Sequence, residues 1–135
     1  MLERDDVRRA VERCQALGYQ AVVGDNAESR YGYLAGTDPE RLADLNGALA
    51  DASLDAIWCL RGGYGTPRLL PRVAYHALAE HPKIIMGFSD ITALLMALTH
   101  QTGVATFHGP LAREPLTQFS RDAMTRVCRI WGADR

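Results

Sequence analysis

The sequence predicts an α/β fold: an open, mostly parallel sheet with helices on both faces, of the Rossmann-like or flavodoxin-like kind. Three observations carry that expectation. Segments of strand and helix character alternate four times along the 135 residues. The strand segments are short and uniformly apolar, as in strands covered on both faces, rather than alternating polar with apolar. Three successive strands also end in polar or glycine-rich turns: Arg61-Gly62-Gly63, Gly87-Phe88-Ser89-Asp90 and His108-Gly109-Pro110.

The first element is an amphipathic helix from about Glu3 to Leu17. Val7, Ala10, Val11, Cys14 and Leu17 recur at helical spacing, and Arg8, Arg9, Glu12 and Arg13 cover the other side. Gly18 is its stop, because glycine accepts the left-handed conformation at a helix end. Tyr19 to Val23 reads as a short strand, and Gly24 to Gly36 as a polar loop holding Tyr31 and Tyr33. Thr37-Asp38-Pro39-Glu40 is a helix start, with a capping threonine, a proline in the first turn and a glutamate that completes the capping box. Leu42, Leu45 and Leu49 form the buried face of that helix. Ala56 to Leu60 is an apolar strand leading into Arg61. A helix interrupted by Pro71 carries Leu69, Leu70, Val73, Ala77 and Leu78. Lys83 to Met86 is the next strand, Ile91 to Gln101 a helix closed near Gly103, Val104 to Phe107 the last strand, and Ser120 to Trp131 the last helix.

Composition narrows the function. Fifteen Lys and Arg against sixteen Asp and Glu leave a formal net charge of -1, so no basic surplus drives nucleic-acid binding. Cys14, Cys59 and Cys128 are an odd number without CxxC spacing, which argues against a disulfide framework or a zinc site and fits a reducing compartment. The opening Met1-Leu2-Glu3-Arg4 has no leader character, and the apolar run Ile91 to Leu98 is far short of a membrane span. These features suit a soluble cytoplasmic protein with no membrane partner, and no cofactor or metal is implied.

In an open parallel sheet, ligands bind in the crevice at the carboxyl ends of the strands, so the three turns are expected to line one site. Ser89 lies between an apolar strand and an apolar helix, two residues after Gly87. That is the setting of a nucleophile elbow, in which a tight turn exposes a hydroxyl. The Asp90 amide, at a helix N-terminus, is placed to donate to a developing oxyanion. Asp90 and Ile91 depart from the second half of G-x-S-x-G, and the local pattern by itself favours Ser89 or Asp90 being simply the N-cap of the next helix. Arg61-Gly62-Gly63-Tyr64-Gly65-Thr66-Pro67-Arg68 lacks both Gly-Lys-Ser/Thr and G-x-G-x-x-G, so it is neither a P-loop nor a dinucleotide turn. It reads either as an anion cradle or as a tight turn needing positive φ. Of His76, His81, His100 and His108, only His108 falls on the site edge. The cysteines read as small core residues, and Trp58 and Trp131 as core or interface aromatics.

The run Gly32-Tyr33-Leu34-Ala35-Gly36-Thr37-Asp38, then Arg41 to Asn46, then Asp55 to Gly65, resembles the LD-carboxypeptidase family of serine peptidases. The likeness continues through Arg68 to Pro71, Pro82-Lys83, Gly87 to Thr92 and Phe107 to Pro110. That family includes muramoyl-tetrapeptide carboxypeptidases and microcin-immunity peptidases. The resemblance implies that Ser89 is the nucleophile of a Ser-His-Glu triad and that the backbone amides of Gly63 and Asp90 form the oxyanion hole. It further implies that Arg61, Gly62 and Tyr64 border the substrate, with His108 on the same edge. The implied reaction releases terminal D-alanine from a muramoyl tetrapeptide at the L-centre of meso-diaminopimelate, without a metal, in the cytoplasm during peptidoglycan recycling, commonly in a homodimer.

Two departures accompany the likeness. The family's glutamate and histidine come from a C-terminal domain, and no residue here matches them. Its first strand, before the first helix, has no counterpart here. Residues 1–112 therefore read as the N-terminal nucleophile domain, and 113–135 as a polar segment and helix at the start of a linker. A serine without its base loses several orders of magnitude in rate. The chain's alternatives are thus a non-catalytic peptide- or anion-binding module, or a fragment that needs its partner domain.

Overall fold

A computed structural model describes residues 4–132. Its strands β1 (Ala56–Trp58), β2 (Ile84–Gly87) and β3 (Phe107–His108) form one parallel sheet in the order β1-β2-β3. Ile57 pairs with Ile85, and Gly87 with His108. Ladder-like bonds run on beyond the strands: Cys59 N–H donates to Met86 O at 3.0 Å and Gly109 N–H to Gly87 O at 2.9 Å. The α/β class and the parallel arrangement are as expected. The strands are shorter than expected, β3 in particular beginning only at Phe107.

The helices are α1 (Arg4–Ala16), α2 (Asp38–Ala50), α3 (Tyr75–Glu80), α4 (Thr92–Thr102) and α5 (Gln118–Gly132); α4 packs on β2 and β3, α3 on α4, and α2 on α3. The capping box at α2 is present in full, with Thr37 and Glu40 each bonding the other's backbone. One dry core gathers Leu49 of α2, Ala77 and Leu78 of α3, Ile85 of β2, and Leu94, Leu95 and Leu98 of α4. The ammonium of Lys83, 1% exposed, donates to the carbonyls of Ala48 and Asp51 at 2.8 and 2.6 Å. A buried cation is thereby matched to helix C-terminal carbonyls that have no partner within α2.

Two expectations are corrected. Tyr19 to Val23 forms no strand: Tyr19, Val22 and Val23 are exposed, Val22 to 72%. A strand needs a neighbour to accept its N–H and C=O groups, and no described strand lies beside this one. The described sheet therefore has three strands rather than four. The helix expected around Pro71 is instead two 3-10 turns, Thr66–Arg68 and Leu70–Arg72, followed by α3. Pro67 and Pro71 each sit in the first part of a turn and cannot donate to a longer helix. Asn46 fills the gap, donating to Arg72 O at 3.1 Å and accepting from Ala74 N–H at 2.8 Å.

Cys14 and Cys128 are half-buried rather than core, whereas Cys59 retains little exposure and burial pushes its thiol up to about 12. Cys14 and Cys128 meet Tyr19 where α1 faces α5. The hydrogen bond with Cys128, followed by burial, pushes the Tyr19 phenol up to about 12. The indole N–H of half-buried Trp58 donates to Pro110 O at 2.7 Å. The side chain of Trp131 lies outside the described residues. No described helix is long and apolar enough to cross a membrane.

Candidate active site

The carboxyl ends of β1, β2 and β3 bring the three turns to one edge, as the topology requires. Ser89 follows β2 with φ 63, making it the non-glycine residue with positive φ among those described. Such a conformation costs on the order of 1–3 kcal/mol and persists where its surroundings impose it. They do so here. A Cβ built at Gly87 would lie 2.5 Å from Ile91 Cγ2 and 3.2 Å from Cys59 Cβ, so only glycine lets the chain turn this tightly. The turn leaves Ser89 exposed.

The cap alternative is now decided. The N-cap of α4 is Ile91, without a side-chain bond, and neither Ser89 nor Asp90 caps it. The Asp90 carboxylate reaches across the edge, where Oδ2 accepts the Thr66 N–H at 2.9 Å. That explains the departure from G-x-S-x-G: the position carries a side chain that ties the serine turn to the glycine loop. The same peptide unit is held from its other side as well. Arg41 donates to Gly65 O at 3.4 Å, and Asp38 binds both Arg41 and Arg68. Burial works against the charge of Asp38, but the two guanidinium groups outweigh it and hold its carboxyl below the ordinary 3.8.

Ahead of that anchor, Gly62 lies against the serine. A Cβ there would meet Ser89 Cβ at 3.0 Å, Phe88 O at 3.2 Å and Ser89 Oγ at 3.4 Å. Gly63, with φ 136, turns the backbone beside it. The guanidinium of half-buried Arg61 folds over Gly63, Nε and Nη2 each 3.8 Å from a Cβ built at that residue. Together with Arg30 and Tyr33, Arg61 lines a small recess. Tyr64 is 80% exposed on the rim. His108 packs edge-on against Phe88, ring centroids 5.1 Å apart, and is exposed.

Ser89, Gly62, Gly63, Asp90 and Arg61 thus converge, with His108 held nearby through Phe88. The sequence reading did not foresee the Asp90 side chain, Thr66, or the Asp38–Arg41–Arg68 cluster. The aspartate in place of the elbow's small residue is the signal that points to the first of these. The fold and this edge define a parallel α/β domain organised around a serine-bearing strand-to-helix turn.

The chain belongs to the LD-carboxypeptidase family. The model of that family's N-terminal domain matches residues 1–109. The chain is 43% identical over 97 residues to a probable murein peptide carboxypeptidase of Bacillus subtilis, covering 72% of this chain and 30% of that protein. It is 41% identical over 109 residues to the murein tetrapeptide carboxypeptidase of Pseudomonas aeruginosa, covering 80% and 35%. The solved structure of the microcin C7 self immunity protein MccF in complex with aspartyl sulfamoyl adenosine superposes with a TM-score of 0.85 at 32% identity, over 92% of this chain and 39% of that one. The chain therefore spans about a third of the length of these curated relatives.

Proposed function

We propose that this domain is the nucleophile-bearing half of a serine LD-carboxypeptidase that releases terminal D-alanine from muramoyl tetrapeptides in cytoplasmic peptidoglycan recycling. The observation that carries this reading is the left-handed Ser89 at the end of β2, with Gly62 packed against it. Ser89 Oγ attacks the scissile carbonyl of diaminopimelate, and the backbone amides of Gly63 and Asp90 stabilise the resulting oxyanion. Arg61, Gly62, Tyr64 and His108 border the peptide. The histidine that takes the serine proton, and the glutamate that orients it, come from the C-terminal domain of the longer family members. His108 does not replace them, since among the described residues its ring makes no hydrogen bond to a carboxylate that would orient it. A homodimer is the assembly that the family implies.

The likeness to MccF supports a second substrate class, an aminoacyl sulfamoyl nucleoside, offered to the same serine. Both are tested on residues 1–112 joined to the C-terminal domain of the Bacillus subtilis relative, with D-alanine release from the tetrapeptide measured beside hydrolysis of aspartyl sulfamoyl adenosine. D-alanine release that falls by about a thousandfold or more in Ser89→Ala is the expected result. Turnover that survives Ser89→Ala overturns the assignment. The chain by itself is expected to bind without releasing D-alanine. Release by it alone, abolished in Ser89→Ala, would place a base within these residues, His108 first.

A further inference from the structure

Arg61 is a cation with no partner among the described residues. It is half-buried, and its guanidinium makes no hydrogen bond or ion pair among the described residues, whereas Arg41 and Arg68 are both paired with Asp38. The side chain does not extend to solvent but folds back over Gly63. The recess it lines with Ser29, Arg30, Tyr33 and Leu34 has no carboxylate among its walls. Holding a rotamer-rich guanidinium in a partly dry recess without an anion is unfavourable unless a ligand supplies one.

We propose that Arg61 is the specificity-determining residue that binds the free terminal carboxylate of the substrate, and so makes the site an exopeptidase site. The inference rests on the reading of Ser89 and the Gly63 amide given above, and adds what selects the chain end. Arg61 directly precedes Gly62, which packs against Ser89. In a peptide whose scissile carbonyl oxygen lies on the Gly63 amide, the carboxylate of the departing residue is three bonds from the carbonyl carbon. That places it within reach of the guanidinium lying over Gly63. A planar guanidinium matches a carboxylate through two parallel N–H···O bonds. A longer peptide or an amidated terminus offers no anion there and leaves the cation unpaired.

The test is a titration of the full chain, 15N-labelled and carrying Ser89→Ala to prevent turnover, followed at the Arg61 Nε–H and Gly63 N–H resonances. The probes are the tetrapeptide L-Ala-γ-D-Glu-meso-diaminopimelyl-D-Ala and the same peptide with a C-terminal carboxamide. The acid is expected to move both resonances saturably, and to bind about tenfold or more tightly than the amide. Arg61→Gln should erase that preference while Gly63 still responds, and Arg61→Lys, which keeps the charge but not the fork, should restore part of it. Equal affinity for acid and amide overturns the proposal, as does a preference that survives Arg61→Gln or the absence of any saturable shift with the acid. Selective binding of the acid by a protein that proves inactive when joined to its second domain would sink the catalytic reading and leave this one standing.

Discussion

The chain treats its two stretches, 5–36 and 37–112, very differently. In the second, Leu49, Leu78, Ile85 and Leu98 are fully covered, the one buried lysine is bonded to two carbonyls, and the serine turn is tied to the glycine loop through Asp90. In the first, Asp6 is the buried side chain, and Val22, Tyr31 and Tyr33 are each more than half exposed. Apolar content does not separate the two. What separates them is partnership: α2, α3 and α4 each find a strand or another helix to cover, while Tyr19 to Val23 has strand-forming residues and no strand beside it. Burial, not composition, converts apolar residues into stability. The candidate site lies on the well-partnered stretch, where a strained serine backbone can be held.

The sharpest way to break this contrast is to delete equivalent apolar groups from both stretches. Leu98→Ala empties part of the closed core and is expected to cost about 2–5 kcal/mol. Val22→Ala, at a side chain 72% exposed, should change stability by less than about 0.5 kcal/mol. Urea midpoints of the two variants measure both. Comparable losses would mean that residues 19–23 are packed in solution, and that the contrast between the stretches is false.

Within the well-partnered stretch, the contribution of the Asp90 strut can be isolated. Asp90→Ala leaves the nearly buried Thr66 N–H without an acceptor, a loss of about 1–3 kcal/mol. Amide exchange at Thr66 should rise far more than at Ile85 in the middle of β2. Asp90→Asn keeps a carbonyl acceptor and should restore most of the protection. If Thr66 exchanges equally slowly in Asp90→Ala, the strut does not hold the loop.

Much of this was legible in the sequence because it is local chemistry. Thr37 and Glu40 announce the α2 cap, Gly103 the end of α4, and apolar strands flanked by glycine turns the parallel sheet and its active edge. What was not legible depends on partners distant in the chain. The failure of Tyr19 to Val23 to pair is a property of the sheet's edge rather than of those residues. The split at Pro67 and Pro71 into 3-10 turns works because Asn46, from α2, satisfies the freed backbone groups. Ser89 could be read as the cap of α4 until Ile91 was seen in that place, because a cap and a nucleophile both ask for a small polar residue before a helix.

The two stretches should also loosen at opposite ends of the pH scale, which is the finest of these contrasts. In the second, the Thr37 backbone and hydroxyl donate to Glu40 and hold its carboxyl below the ordinary 4.5. A depressed folded value means that the unfolded chain takes up the proton first. This contribution is therefore complete above pH 4.5 and drains away as the pH falls through the folded value. Glu40→Gln should flatten the acid limb of the urea midpoint against pH. At Tyr19 the sign reverses. Its phenol is pushed up from 10.0 to about 12, so the contribution of its contact with Cys128 is complete below pH 10 and is lost as the pH rises toward 12. Tyr19→Phe should remove that alkaline limb and leave the acid one unchanged, while Glu40→Gln should do the reverse. A variant that moved both limbs together would show that the α1–α5 contact and the α2 cap unfold as one cooperative unit, and that the difference in packing between the stretches has no counterpart in their stability.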